Sequence, residues 1–168
     1  MQILIVDDVP TNVVVLGKAL ADSYEVRFAT SGQEALDLAL KSTPDLVLLD
    51  VMMPGMSGHD VHRSMRQHPL LRDVPVIVTS SLEGMAHVVR CIELGADDFL
   101  HKPVSPVLLK ARINSSLEKK RLRDQQRELI KRFATSEVAQ ELLDSGFALG
   151  GRRVQGTVMF SDIRGFTA

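Results

Sequence analysis

Cysteine and the large aromatic residues are scarce in this sequence. Cys91 is its single cysteine, there is no tryptophan, and the aromatic residues make up 4% of 168 residues. One cysteine excludes an intramolecular disulfide framework and a zinc site built from several thiolates, and it suits a reducing compartment. We expect Cys91 to be a small buried residue of a helix.

Long apolar runs are also lacking. None approaches the about 18 residues that a membrane-spanning helix needs, and the N-terminus has neither the basic leader nor the cleavage site of a secretory signal. We therefore expect a cytoplasmic protein with no membrane partner. Hydrophobic residues make up 45% and charged residues 24%, which is typical of a soluble globular protein.

The net charge of −1 conceals three segments of different character. Residues 1–104 hold 8 Lys and Arg against 14 Asp and Glu, a charge of −6. Residues 105–132 hold 9 against 3, a charge of +6, and residues 133–168 hold 3 against 4, a charge of −1. This asymmetry indicates segments with different roles.

Short apolar runs alternate with helical patterns in the first segment. The β-branched runs read as strands that are buried on both faces. Five strands are predicted, at residues 3–6, 25–29, 46–49, 76–78 and 98–100. Helical patterns follow them, one opened by Ser31 with Glu34 at capping-box spacing. Such alternation predicts parallel βαβ units, and hence an α/β fold with a doubly wound, five-stranded parallel sheet and a long C-terminal helical extension.

Polar side chains close four of these predicted strands. They are Asp7 and Asp8, Asp50, Thr79 and Lys102. Because ligands of open α/β sheets bind outside the carboxyl ends of the strands, we expect these side chains to form one site. Three neighbouring carboxylates are tolerable around a shared divalent cation, and an all-oxygen ligand set favours Mg²⁺.

A carboxylate at such a site can also attack a phosphoryl group. Asp50 is the best candidate nucleophile because it stands alone at the end of the central strand, whereas Asp7 and Asp8 are better placed as metal ligands. Lys102 and Thr79 supply a positive charge and a hydroxyl donor for phosphoryl oxygens. Each residue by itself is more often a loop cap or a solvated charge, and only their coincidence predicts a site. A Mg²⁺-dependent phosphatase on a similar sheet is the alternative.

Residues 1–114 resemble a two-component response-regulator receiver domain, whose fold is flavodoxin-like. The matching motifs are Asp7-Asp8, Asp50 with Met53-Pro54-Gly55 and Gly58, Thr79-Ser80, Gly95-Ala96-Asp97-Asp98-Phe99, and Lys102-Pro103. The family most often has alanine where this chain has Ser80. The resemblance also implies a cis peptide bond between Lys102 and Pro103, which an X-Pro bond permits.

The resemblance further implies roles for these residues. Asp50 would accept a phosphoryl group from a histidine kinase or a phosphotransfer protein. Mg²⁺ would be held by Asp50 together with Asp7, Asp8 and the backbone carbonyl of Met52. Thr79 and Lys102 would contact the phosphoryl group, and Phe99 would be the switch aromatic that turns inward as Thr79 moves.

Residues 105–132 read as one basic helix. Leu108, Ala111, Leu122 and Leu129 fall on a loose heptad that polar residues interrupt. Two interpretations stay open: a solvated helical extension, or a parallel coiled coil that joins two protomers into a homodimer and carries the signal onward. No helix-turn-helix pattern follows and no aromatic residues are interleaved with the basic ones, so we expect no nucleic-acid partner.

Residues 133–168 resemble the beginning of a class III adenylate/guanylate cyclase catalytic domain. The resemblance rests on Phe133, on Ser136-Glu137-Val138 and on the motif Phe160-Ser161-Asp162-Ile163-Arg164-Gly165-Phe166-Thr167. It implies that Asp162 is the first of two metal-binding aspartates and that the Ile163 carbonyl is another ligand, although spacing alone favours a turn cap at Asp162.

The sequence stops at Ala168, before the second aspartate that the resemblance implies. Because a single carboxylate cannot assemble a two-metal site, we expect residues 133–168 to make no cyclic nucleotide by themselves. We expect them to belong to a longer cyclase that phosphorylation controls. The alternative is a stand-alone receiver that acts by protein–protein interaction.

Overall fold

The computed structural model describes residues 1–81, 85–93 and 95–133. By its contacts the chain divides into two units, residues 1–126 and 127–168. The sheet and the two cores described below belong to the first unit. Asp162 and Ile163, the metal ligands predicted in the cyclase-like stretch, lie outside the described residues.

The described residues form strands and helices in strict alternation. The strands are β1 (Gln2–Val6), β2 (Glu25–Ala29), β3 (Leu46–Asp50), β4 (Val76–Ser80) and β5 (Asp98–His101). The helices are α1 (Pro10–Leu20), α2 (Gly32–Lys41), α3 (Gly58–Gln67), α4 (Met85–Glu93) and α5 (Pro106–Phe133). The strands pair in parallel in the order β2-β1-β3-β4-β5. This confirms the predicted doubly wound sheet and the long C-terminal helix.

The apolar strand residues divide between two cores, one on each face of the sheet. Leu4, Val6 and Leu49 belong to a cluster that includes residues of α2, α3 and α4. Ile3 and Ile5 belong to a second cluster with residues of α1 and α5. Alternate residues of one strand point to opposite faces, so strands covered on both faces must be apolar throughout. That is the pattern by which they were predicted.

Helix α5 begins as part of this domain. Leu109, Ile113 and Leu117 are buried in the second core. Beyond them the side chains of residues 118–129 are mostly exposed, including Leu122 and Leu129. Among the described residues, no helix is long and apolar enough to cross a membrane.

Local signals set where the helices begin. The Ser31 hydroxyl accepts a hydrogen bond from the Glu34 amide (3.3 Å), as its capping-box spacing predicted. The Ser57 hydroxyl accepts one from the Asp60 amide at the start of α3, also at 3.3 Å. Helix α1 differs, because its N-cap is Val9 and it starts with Pro10 and no side-chain cap.

Candidate functional site

The order of the strands puts the predicted site residues at one edge of the sheet. The chain reverses its direction of winding at β1, so the carboxyl ends of β1 and β3 lie side by side. Asp7 directly follows β1, and Asp50 is the last residue of β3. Thr79 lies opposite Asp50 in the register of β3 and β4. The structure therefore brings these residues together at the topological switch point, where such sheets bind ligands.

Lys102 joins the two buried carboxylates. Its Nζ donates to Oδ2 of Asp7 and to Oδ2 of Asp50, each at 2.7 Å. Asp7 is 1% exposed and Asp50 4% exposed. Buried charges are costly unless they are paired and hydrogen-bonded, and here one ammonium group serves both acids.

Burial and ion pairing shift the pKa values of Asp50 and Lys102 in opposite directions. Burial raises the pKa of Asp50 above its ordinary value, against the opposing effects of Lys102 and of the Met52 amide. Burial lowers the pKa of Lys102, but its hydrogen bonds to Asp50 and Asp7 outweigh that effect and the pKa is raised overall. Lys102 is therefore charged at neutral pH.

Three carboxylates in this cluster fit a divalent cation. Asp7, Asp8 and Asp50 each offer one oxygen, and these oxygens lie within 4.8 Å of one another. Three carboxylates and the single ammonium of Lys102 leave a formal charge of −2, which a divalent cation neutralises. Oxygen donors of this kind suit Mg²⁺, which usually takes one or two carboxylates and keeps several waters.

The loop after β3 wraps closely around Asp50. The amide of Met52 donates to Oδ1 of Asp50 at 3.2 Å. The amide of Gly58 donates to the Val51 carbonyl at 3.1 Å. A Cβ atom at Gly58 would overlap the Asp50 carbonyl oxygen and lie 2.8 Å from Val51 Cα. Glycine is therefore required where α3 begins. The role of the Met52 carbonyl as a metal ligand stays a prediction.

The residues predicted to form the switch lie on β4 and β5. Thr79 is 1% exposed, and it precedes the equally buried Ser80. Phe99 is half-buried, packs against the core that includes α4, and meets His101 edge to face with ring centroids 5.6 Å apart. The Lys102–Pro103 peptide bond is cis, as the resemblance implied. The switching roles of Thr79 and Phe99 stay predictions.

Sequence reasoning missed one residue of this site. Asn12 donates from Nδ2 to both carboxylate oxygens of Asp7, at 3.0 and 3.1 Å. Oδ1 of Asp7 also accepts from the Val9 amide at 3.0 Å. The sequence indicates only that Asn12 lies in the first turn of a helix that follows Asp7-Asp8.

Comparison with known proteins identifies the family. The family model for the response regulator receiver domain matches residues 3–114. The chain therefore belongs to the response regulator receiver domain family, a class of two-component signalling protein.

Individual relatives agree with this assignment. The chain is 44% identical over 115 residues to the response regulator PleD of Caulobacter vibrioides, a match that covers 68% of this chain and 25% of PleD. A solved structure described as adenylate cyclase from Rhodopirellula baltica is 29% identical, with a TM-score of 0.72 over 77% of this chain and 96% of that one. The receiver domain of a signal transduction histidine kinase from Syntrophus aciditrophicus is 37% identical, with a TM-score of 0.65 over 70% and 90%. The matched part of this chain thus spans about a quarter of PleD.

Proposed function

We propose that this protein is a phosphorelay switch in which Asp50 accepts a phosphoryl group from a histidine kinase or a phosphotransfer protein. One observation carries the proposal: buried Asp50 shares the Lys102 ammonium with Asp7, inside a cluster of three carboxylates and directly across the register from Thr79. The cluster provides a nucleophile, a cation site and a fixed positive charge at one strand edge.

The proposed reaction is a transfer between a phosphohistidine and Asp50. A carboxylate oxygen of Asp50 attacks the phosphorus, and an oxygen–phosphorus bond forms while the phosphorus–nitrogen bond breaks. The electron pair of that bond leaves with the imidazole, whose other ring nitrogen carries a proton, so that neutral histidine is released. When bound, Mg²⁺ supplies positive charge that offsets the charge on the phosphoryl oxygens. Asp7, Asp8, Asp50 and the Met52 carbonyl are the groups that would hold the cation.

Lys102 and Thr79 would respond to the new group. The phosphoryl group carries a charge of about −1.5 to −2 at neutral pH. It replaces the single charge of the ionised Asp50 carboxylate, one oxygen of which is bonded to phosphorus. The Lys102 ammonium would then contact a phosphoryl oxygen, and the Thr79 hydroxyl would donate to another. Because Thr79 lies on β4 and Phe99 on β5 at adjacent register positions, Phe99 would turn inward as Thr79 moves. The output is thus a shift between two packings of this face.

We further propose that the switch controls an attached class III nucleotide cyclase. In this scheme residues 1–114 are the receiver, residues 105–132 are the linker helix, and residues 133–168 begin the catalytic domain. Support comes from the cyclase-like motif that contains Asp162 and Ile163, and from the likeness to a solved structure described as an adenylate cyclase. The linker helix would join two protomers, since Leu108, Leu122 and Leu129 are exposed at heptad positions.

Two experiments test these proposals separately. The wild-type chain and Asp50→Asn are incubated with acetyl phosphate and Mg²⁺, and the mass of the intact protein is measured. We expect one phosphoryl group on wild type and none on Asp50→Asn, whereas a phosphatase would instead turn over small phosphate esters.

For the output, cyclic nucleotide production is measured on a chain extended beyond Ala168, with and without acetyl phosphate. Cyclic nucleotide production that is the same with and without acetyl phosphate would favour a receiver that acts by protein–protein interaction.

A further inference from the structure

Asn12 lies in α1, and the two hydrogen bonds described for its side chain both go to Asp7. It occupies the third position of α1, where a side chain commonly accepts a hydrogen bond from the backbone N–H of the N-cap residue. Here the N-cap Val9 has no side-chain cap, and the Asn12 side chain turns away from the helix to Asp7. An ionised carboxylate can only accept hydrogen bonds, so the amide must present its NH₂ group to Asp7.

The contacts of Asp7 divide into two kinds. The Val9 amide and Asn12 are local, since both lie within five residues of Asp7. Lys102 comes from a distance of 95 residues along the chain and also binds Asp50. When Lys102 turns to a phosphoryl group, as the proposed function requires, Asn12 and the Val9 amide are the contacts that remain on Asp7.

We propose that Asn12 is a positioning residue for the cation site: it holds the Asp7 carboxylate in the orientation that binds Mg²⁺. This inference rests on the proposed function, because it takes Asp7 as a metal ligand. Hydrogen-bond partners of metal ligands fix the orientation of those ligands, and their loss typically weakens metal binding by about 10- to 100-fold. Asn12 donates to both oxygens of Asp7 from one half-buried side chain, which restricts rotation of the carboxylate about its Cβ–Cγ bond.

The test compares magnesium binding in the full chain and its variants. Magnesium chloride is titrated by calorimetry into wild type, Asn12→Ala and Asn12→Leu. Asn12→Leu keeps the branching of the side chain at Cγ and removes its donor. Thr11→Ala is the matched control, since Thr11 is an exposed neighbour in the same helical turn. We expect the Kd for Mg²⁺ to rise about 10-fold in both Asn12 variants and to stay at the wild-type value in Thr11→Ala.

A second measurement separates positioning of the ligand from support of the helix. The rate of phosphorylation by acetyl phosphate is measured at limiting and at saturating Mg²⁺. We expect the Asn12 variants to be slow at limiting Mg²⁺ and to recover the wild-type rate at saturation. A purely structural role would slow phosphorylation equally at limiting and at saturating Mg²⁺ and leave the Kd unchanged.

The outcomes distinguish this inference from the proposed function. If wild type binds Mg²⁺ and both Asn12 variants bind it with the wild-type Kd, the inference on Asn12 is overturned while the proposed function stands. If wild type neither binds Mg²⁺ nor accepts a phosphoryl group, both are overturned.

Discussion

Lys102 Nζ lies 2.7 Å from Oδ2 of Asp50, a residue 52 positions earlier in the chain. The same atom lies 2.7 Å from Oδ2 of Asp7. One ammonium group therefore neutralises part of a buried acidic cluster, and the charge that remains on the three carboxylates is what a divalent cation would neutralise.

Replacing Lys102 with methionine should destabilise the protein chiefly when metal is absent. Removal of one partner from a buried ion pair costs about 3 kcal/mol or more, because the remaining charges are left uncompensated. In EDTA we expect Lys102→Met to lower the free energy of unfolding by about 3 kcal/mol, measured by urea denaturation. Mg²⁺ should restore most of that loss, since a cation that binds the carboxylates replaces the missing charge.

The control for this experiment is Lys18→Met, which removes an exposed lysine of α1. We expect its stability to be close to wild type in both conditions. An Lys102→Met protein that is as stable as wild type in EDTA would show that the ion pairs contribute little to the folded state.

Gly58→Ala should distort the site by displacing the backbone at the end of β3. The new Cβ would overlap the Asp50 carbonyl oxygen and approach Val51 Cα to 2.8 Å, and neither backbone atom can rotate away. We expect a loss of about 1–3 kcal/mol in the free energy of unfolding, together with slower phosphorylation, because the end of β3 must shift. Chemical denaturation and acetyl phosphate labelling measure the two effects.

Gly17→Ala is the matched control for that substitution. Gly17 lies within α1, and a Cβ there meets nothing within 4 Å. Alanine is a better helix former than glycine by about 0.5–1 kcal/mol, so this variant should be more stable than wild type. Equal effects of the two substitutions would contradict the steric account of Gly58.

His62 should make the protein less stable in mild acid. It is fully buried in α3, and neither ring nitrogen has a hydrogen-bond partner among the described residues. Burial, together with the nearby charges of Arg66 and His59, lowers the pKa of His62 from 6.5 to about 4. Between these two values the unfolded chain binds a proton that the folded chain does not, so stability falls as the pH is lowered from about 6.5 to about 4.

The size of this effect follows from the shift in pKa, and a substitution isolates it. At about 1.4 kcal/mol per pKa unit, His62 accounts for a loss of about 3 kcal/mol across that range. We expect His62→Leu to remove this part of the acid dependence, measured as the free energy of unfolding at several pH values. His101→Leu, which replaces an exposed histidine, provides the comparison. A His62→Leu protein with the same pH profile as wild type would rule out His62 as its source.

The parts of the site that the sequence predicts are those that lie at strand ends. Asp7, Asp50 and Thr79 each close an apolar run, and the parallel order of the strands then places them at one edge. Their convergence can be predicted from the apolar run before each residue and from the rule that ligands of such sheets bind at the carboxyl ends of the strands.

The contacts made by Asn12 and the burial of His62 were not predicted, for different reasons. The bonds from Asn12 to Asp7 depend on the rotamer of a helical side chain, which no spacing encodes. The burial of His62 did leave a signal, because positions 58, 61, 62 and 65 form one helical face and all are buried. Because histidine is not counted as an apolar residue, position 62 did not mark this face as buried.

The most direct test of the central proposal is to locate the phosphoryl group chemically. An aspartyl phosphate is an acyl phosphate, which borohydride reduces to homoserine, so the modified position can be read by peptide mass spectrometry. After incubation with acetyl phosphate and Mg²⁺, we expect homoserine at position 50 alone, and none when EDTA replaces Mg²⁺. Homoserine at position 7 or 8, or its absence from position 50 in labelled protein, would contradict the assignment of Asp50 as the phosphoacceptor.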